Sequence, residues 1–128
     1  MNLSSAAAAI KKTLVLGAST DTNRYSNLAI HRLLEHGHPV VGVGREDGTV
    51  GGSTITADLV KYDDIHTVTM YVNPYNQHIF ADYVIDLAPK RVIFNPGSEN
   101  PGLYARLLAA DIEVEVACTL VLLGTQQY

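Results

Sequence analysis

Short apolar segments with strand character alternate with amphipathic helical segments along this chain of 128 residues. The predicted strands begin at Thr13, Pro39, Thr67, Arg91 and Ile112. Such alternation is typical of βαβ units, whose right-handed crossovers place helices on both faces of a sheet. The pattern therefore predicts an α/β fold: a Rossmann-like three-layer α/β/α sandwich around a five-stranded, mainly parallel sheet in the order 3-2-1-4-5.

The chain length predicts one domain over residues 11–128, preceded by an N-terminal lead-in over residues 1–10. The lead-in lacks a basic leading segment and its apolar stretch is short, so it does not resemble a signal peptide. No run approaches the roughly 18 apolar residues of a membrane span. The one cysteine, Cys118, excludes an intrachain disulfide and fits a reducing compartment. We therefore expect a soluble, cytoplasmic protein.

The net charge of −4 argues against a broad nucleic-acid interface, which needs a basic face or stripe. A small anionic ligand needs only a local positive site. We expect a small nucleotide ligand and neither nucleic acid nor membrane, and we leave a protein partner or a homo-oligomer open. The five histidines and one cysteine form no zinc spacing, and no P-loop, HExxH or G-x-S-x-G motif occurs. No catalytic residue and no metal site are predicted.

The first strand and turn, KTLVLGASTDTNRYSN at residues 12–27, depart from the dinucleotide-binding rule. In the G-x-G-x-x-G fingerprint, the second glycine lets the backbone approach a pyrophosphate and the third lets the helix pack on the strand. After Gly17, those two positions hold Ser19 and Thr22. The turn is polar and carries Arg24. It predicts a nucleotide-like ligand bound by a different arrangement.

Ligands of such sheets lie beyond the carboxyl ends of the strands, near the point where the strand order reverses. Four polar or glycine-bearing segments follow predicted strands: residues 17–27, 44–45, 71–74 and 95–98. The start of the first helix can present backbone N–H groups to phosphate oxygens, with further donors from Ser19, Arg24 and Ser26. The alternative interpretation is that these are ordinary turn and cap residues.

Arg45 follows the second predicted strand, where an NAD-binding domain usually carries an acidic residue for the ribose hydroxyls. An arginine there suits a phosphorylated ribose, either the 2′-phosphate of NADP or the 3′-phosphate of coenzyme A. Glu46, one residue later, weakens this contrast. A solvated loop arginine is the alternative.

Six motifs occur in a characteristic order: GAS at 17–19, RYS at 24–26, LLEHGHPVVGVG at 33–44, YVNP at 71–74, NPGSEN at 95–100 and ACTLVLLGT at 117–125. In this order and spacing the chain, from Lys11 onward, resembles the small single-domain CoA-binding proteins. These are similar in turn to the CoA-binding domain of succinyl-CoA ligase and ADP-forming acyl-CoA ligases.

The resemblance implies that CoA lies across the carboxyl edge of the sheet. It assigns the phosphates to Gly17, Ala18, Ser19, Arg24 and Ser26, the adenosine phosphate end to Gly44 and Arg45, and the remainder of CoA to Val72, Asn73, Pro74, Asn95 and Pro96. Many members resemble a V-N-P pattern after the second strand, where this chain has Val43, Gly44 and Arg45.

The predicted function is non-catalytic binding of coenzyme A or an acyl-CoA. The alternatives are an NADP-binding, reductase-like protein and an interaction scaffold that has lost the ligand. The two missing glycines and the lack of a substrate domain favour CoA over NADP. A cysteine also follows the last strand in the resembling family, which suggests the hypothesis that Cys118 forms a mixed disulfide with CoA. A buried, inert cysteine is the alternative.

Overall fold

The computed structural model describes residues 9–128, which form one seven-stranded mixed sheet with helices on both faces. The strands are β1 Thr13–Ala18, β2 Val40–Gly44, β3 Gly48–Val50, β4 Ser53–Thr56, β5 Thr67–Met70, β6 Arg91–Phe94 and β7 Glu113–Val116. The helices are α1 Tyr25–Glu35, α2 Ala81–Leu87, α3 Pro101–Ala109 and α4 Thr119–Gly124, and a 3-10 helix, Pro74–Ile79, precedes α2. Of the predicted lead-in, residues 1–8 lie outside the described residues, and residues 9 and 10 have no regular structure.

The strand order is β3-β4-β2-β1-β5-β6-β7. Neighbouring strands pair in parallel, except that β3 runs antiparallel to β4. The predicted α/β Rossmann-like class is confirmed. The predicted five-stranded sheet in the order 3-2-1-4-5 is wrong, because the third predicted strand, β5, pairs with β1 and not with β2.

A hairpin missed by the sequence pattern causes this difference. β3 and β4 lie within residues 44–56, and Gly51 and Gly52 form their turn with φ of +58° and +86°. β4 pairs in parallel with β2, where Gly42 lies opposite Ile55. Because β4 already occupies the edge beside β2, β5 crosses to the other side of β1.

The core has two layers, one on each face of the sheet. Along β1, Leu14 and Leu16 face the cluster that includes α2 and α3, whereas Val15 and Ala18 face the cluster that includes α1 and α4. The alternation from Leu14 to Leu16 follows from the two-residue period of a strand, and Ala18 lies on the Val15 face because the strand register shifts between Leu16 and Ala18. β1 is therefore buried on both sides, as is usual for parallel sheets.

Two of the three Asn-Pro pairs, at residues 73–74 and 100–101, begin helices. The side-chain oxygens of Asn73 and Asn100 accept hydrogen bonds from the N–H groups of Asn76 and Leu103, at 3.2 and 3.3 Å. The following prolines occupy a helical position whose N–H would have no partner. Among residues 9–128, no helix is both long enough and apolar enough to cross a membrane.

Candidate ligand site at the carboxyl edge of the sheet

The winding of the sheet reverses between β1 and β5, which is where sheets of this kind bind ligands. β1 leads to α1 on one face, and β5 leads to the 3-10 helix and α2 on the other. The Tyr71 N–H donates a 2.8 Å hydrogen bond to the Leu16 carbonyl oxygen and joins the two carboxyl ends. Because β2, β1, β5 and β6 are parallel, all four predicted segments leave the sheet at this edge.

Gly17 lies at the closest approach of these two strand ends. Its φ is +91°, and a Cβ atom there would lie 3.0 Å from the carbonyl carbon of Tyr71 and 3.2 Å from Val72 Cγ2. Both the left-handed backbone and the lack of space favour glycine. In this structure, the first glycine of the turn is therefore explained by the packing of β1 against the chain beyond β5.

Hydrogen bonds within the β1–α1 loop hold its shape. Ser19 Oγ accepts from the Asp21 N–H at 3.0 Å, and Asp21 Oδ1 accepts from the Asn23 N–H at 2.9 Å. Asn27 Nδ2 donates to the Ser19 carbonyl oxygen at 3.0 Å and links the loop to α1. These are the local side-chain bonds by which Ser, Asp and Asn stabilise turns. Ala18, just before the loop, is buried.

Arg24 and Ser26 flank the start of α1 but have different environments. Arg24 is the N-cap residue, and its side chain is 70% exposed, with Nε 3.8 Å from an Asp21 carboxylate oxygen. Ser26 is only 4% exposed and lies on the inner side of the helix. No acidic residue lies in the first turn of α1, so the positive end of the helix dipole is not opposed there. Of these two residues, Arg24 is the accessible one.

Gly44 and Arg45 begin the connection from β2 to the hairpin. A Cβ atom on Gly44 would overlap the Ala18 carbonyl oxygen, so glycine is required by packing against β1. Arg45 is exposed. A Cβ atom on Gly48 would lie 2.7 Å from Thr20 Cγ2, which shows that the hairpin packs against the β1–α1 loop. The hairpin therefore brings the β2 connection to the same side as this loop.

Val72, Asn73 and Pro74 follow β5 and start the 3-10 helix. The Asn73 side chain caps this helix through Asn76, as described above. The Val72 carbonyl oxygen accepts from Gln77 Nε2 at 2.9 Å. Asn73 is exposed, whereas Val72 and Pro74 are half-buried. All three lie at the candidate edge, across the switch point from α1.

The Asn95 side chain is committed to the protein interior. It donates to Thr69 Oγ1 at 2.7 Å and to the Met70 carbonyl oxygen at 2.9 Å, and it accepts from the Thr119 N–H at 2.8 Å. Asn95 is 2% exposed, and Pro96 beside it is exposed. The Asn95 amide thus joins β5, β6 and the start of α4, so that a ligand beyond β6 would meet Pro96 more readily than Asn95.

Tyr71 and Cys118 lie near each other where α4 begins. The Tyr71 hydroxyl is buried and has no hydrogen-bond partner among residues 9–128. Burial raises the pKa of Tyr71, and the Cys118 thiol raises it further, although the nearby hydroxyls of Thr119 and Thr69 oppose this. Those two hydroxyls bond to each other at 2.7 Å. Cys118 is half-buried, and its mixed disulfide with CoA stays a hypothesis.

The sequence patterns missed two polar residues that shape this edge. Gln77 is fully buried and bonds to the chain after β5 and after β6. Thr119 completes the Asn95 network. The available signal for Gln77 was its position four residues after Asn73, which places it about one helical turn beyond an Asn-Pro pair. Thr119 had no local signal, because its partners are far away in the sequence.

The opposite, amino edge of the sheet carries a separate polar cluster. His38 Nδ1 accepts from the Lys11 N–H at 3.1 Å, and the Arg91 guanidinium lies 4.4 Å from the centre of the Tyr128 ring. Arg91 also pairs with Glu115 at 3.0 Å. Within residues 9–128, no group of three or more His, Cys, Asp or Glu side chains is arranged to hold a metal ion.

Two surface grooves differ in their relation to the candidate site. One, of about 240 Å³, lies between the 3-10 helix and α3, and Pro74 forms part of its wall. The other, of about 370 Å³, lies at the amino edge beside Lys11 and His38. Neither groove is lined by Arg24 or Arg45, the exposed cations of the candidate site.

A family model described as a CoA binding domain matches residues 11–124. This chain belongs to the CoA-binding domain family. The match includes all four segments at the carboxyl edge, so the fold and the candidate site both lie within the part of the chain that defines the family. A search of curated proteins found no significant match.

Solved structures similar to this CoA-binding domain agree with its fold. One, of an uncharacterized protein, is 47% identical, has a TM-score of 0.92, and the alignment covers 94% of this chain and 100% of that one. A hypothetical protein from Pyrococcus horikoshii OT3 is 25% identical with a TM-score of 0.80, and the alignment covers 92% of this chain and 84% of that one. A protein from Thermus thermophilus is also 25% identical with a TM-score of 0.80, and the alignment covers 93% of this chain and 91% of that one.

Proposed function

We propose that this protein binds coenzyme A or an acyl-CoA, without catalysing a reaction, at the carboxyl edge of its sheet. The observation that carries the proposal is the family match over residues 11–124, which spans every segment that meets at the switch point. A site at this point accords with the general placement of ligands in α/β sheets.

The charges at this edge support an anionic ligand. Arg24 and Arg45 are both exposed, although the chain as a whole carries a net charge of −4. Arg24 is only loosely paired, since its Nε lies 3.8 Å from Asp21. Guanidinium groups bind phosphate oxygens through paired, charge-assisted hydrogen bonds. CoA offers a diphosphate and a 3′-phosphate for such bonds.

The polar groups at this edge suit binding better than proton transfer. They are mainly amides, hydroxyls and guanidinium groups, which do not change protonation state near neutral pH. Asn73 and Asn95 are already engaged in capping and in the internal network. We therefore favour a carrier, sensor or partner-subunit role over an enzymatic one.

Calorimetric titration with CoA, dephospho-CoA, NADP and NAD tests the proposal. We expect CoA to bind best, and dephospho-CoA to bind more weakly because it lacks the 3′-phosphate. Tighter binding of NADP would instead favour the reductase-like alternative. No binding of any of the four would favour a scaffold that has lost its ligand.

Two arginine variants locate the phosphates. We expect Arg24→Gln and Arg45→Gln each to weaken CoA binding at least about tenfold, since a hydrogen bond to a charged group contributes about 1.5–3 kcal/mol. Arg45→Gln should also reduce the preference for CoA over dephospho-CoA. Arg32→Gln is the matched control, because Arg32 pairs with Glu35 in the last turn of α1, away from the candidate edge, and should leave CoA binding unchanged.

A further inference from the structure

Tyr25 is a large aromatic residue held in solvent at the candidate edge. It is the first residue of α1 and is 74% exposed. The next two residues, Ser26 and Asn27, are 4% and 3% exposed. The start of the helix is thus anchored on one side and displays a tyrosine on the other.

The backbone that carries Tyr25 is fixed on both sides. The Asn27 N–H donates to the Arg24 carbonyl oxygen at 3.1 Å, and Asn27 Nδ2 donates to the Ser19 carbonyl oxygen at 3.0 Å. These bonds span Tyr25 and tie α1 to the loop after β1. The ring can therefore bind a planar group without the cost of ordering the backbone.

The surroundings of Tyr25 combine an aromatic surface with positive charge. Arg24 precedes it directly, and the contact between Gly48 and Thr20 places the hairpin, with the Arg45 connection, beside the same loop. Purine nucleotides carry both a planar base and phosphates. An exposed aromatic ring next to Arg24, at the same sheet edge as the exposed Arg45, matches this pair of features.

We propose that the Tyr25 ring is the stacking surface for the purine base of the bound nucleotide. This inference rests on the proposed function and assigns the base to the α1 side of the switch point. Bases stack on aromatic side chains through their π faces, and removing one such side chain typically weakens binding by about fivefold to 150-fold.

Tyr75 provides a matched control at the same edge of the sheet. It is 88% exposed, and it lies in the first turn of the 3-10 helix after β5, on the opposite side of the switch point. The two tyrosines share residue type, exposure and position in the first turn of a helix. They differ in the strand that they follow, β1 for Tyr25 and β5 for Tyr75.

The experiment uses CoA and two of its fragments as probes, adenosine 3′,5′-bisphosphate and 4′-phosphopantetheine, each measured by competition against labelled CoA. We expect Tyr25→Ala to weaken CoA and the bisphosphate about tenfold and to leave phosphopantetheine unchanged. Tyr25→Phe should retain affinity within about twofold, because it keeps the ring. Tyr75→Ala should leave bisphosphate binding unchanged.

Two results would overturn the assignment of the base to Tyr25: unchanged CoA and bisphosphate binding by Tyr25→Ala, or an equal loss with Tyr75→Ala. Failure of the wild-type protein to bind CoA would contradict the proposed function as well. Wild-type CoA binding that Tyr25→Ala leaves intact would contradict only the stacking. Thermal unfolding of each variant confirms that the exposed substitutions leave the fold unchanged.

Discussion

The side-chain amide of Gln77 donates a 2.6 Å hydrogen bond to the carbonyl oxygen of Ser98. The same nitrogen donates to the Val72 carbonyl oxygen at 2.9 Å, and Gln77 Oε1 accepts from Asn100 Nδ2 at 3.0 Å. Gln77 is fully buried. One side chain therefore joins the chain after β5 to the chain after β6, and it holds both segments at the candidate site in register.

Gln77→Glu tests this connection while keeping the side-chain volume. At neutral pH the substitution replaces two donors with a carboxylate that faces two carbonyl oxygens. We expect the free energy of unfolding to fall by about 2–4 kcal/mol, because buried polar and charged groups lose their partners. Urea denaturation measures this. Gln127→Glu, at an exposed position, is the control and should change the free energy of unfolding by less than about 0.5 kcal/mol. Equal effects of the two variants would contradict the role of Gln77 in joining the segments after β5 and β6.

Asn95→Ala should destabilise the fold by about 3 kcal/mol, since it removes three buried hydrogen bonds, to the Thr69 hydroxyl, the Met70 carbonyl and the Thr119 N–H. Chemical denaturation at pH 7 checks the value. Asn76→Ala is the control, because Asn76 is exposed. A loss below about 1 kcal/mol for Asn95→Ala would show that water replaces this network.

Alanine substitution at two glycines with nearly the same φ distinguishes the stability cost of backbone strain from the cost of insufficient space for a Cβ atom. Gly17 has φ +91° and little room, whereas Gly97 has φ +94° and no atom within 4 Å of an added Cβ. We expect Gly97→Ala to cost about 1–2 kcal/mol from strain alone. Gly17→Ala should cost at least about 1 kcal/mol more, because its methyl group would press on Tyr71 and Val72. Similar losses in thermal unfolding would argue against the close approach of the strand ends.

The stability of the fold should decrease at mildly acidic pH because of His38. Burial lowers the pKa of His38, and the charges of Lys11, His36, Arg91 and His66 lower it further. Its Nδ1 accepts from the Lys11 N–H, which requires an unprotonated nitrogen. At mildly acidic pH, the folded state therefore binds fewer protons than the unfolded state. The contribution of neutral His38 to the free energy of unfolding is present above pH 6.5 and is lost as the pH falls through the folded-state pKa.

Denaturation of the wild type and of His38→Gln at pH 7.5 and 5.5 tests whether protonation of His38 lowers the free energy of unfolding. We expect the wild type to lose more stability than the variant on acidification. The variant should keep part of the pH dependence, because burial also lowers the pKa of His66. Equal pH dependence in the two proteins would exclude His38 as the cause.

Local patterns predicted the elements that depend on local chemistry. The Asn73 and Asn100 caps need only a side chain and an N–H three residues later, so they depend on a short stretch of sequence. β1 was predictable because its apolar residues form a continuous run bounded by glycine. The β3–β4 hairpin was not, because its strands have three and four residues and lie among glycines typical of a loop.

The candidate site was partly predictable for the same reason. Arg24 and Arg45 stand out in the sequence as charged residues in turns after strands, and the structure leaves both exposed. Asn95 looks equivalent to Asn73 in the sequence, since each begins an Asn-Pro pair after a strand. Yet Asn73 caps a local helix, whereas Asn95 caps the distant α4 through Thr119.

The order of apolar runs and turns in the sequence therefore established the fold class, because hydrophobic period and turn chemistry act over a few residues, and it predicted the sheet edge proposed here for a ligand. Tertiary structure alone decided which strand lies beside β1 and which polar side chains stay free for a ligand. These depend on contacts between residues far apart in the chain, such as β4 with β2 and Gln77 with Ser98. Such contacts are selected by shared burial and complete hydrogen bonding, which no short segment specifies.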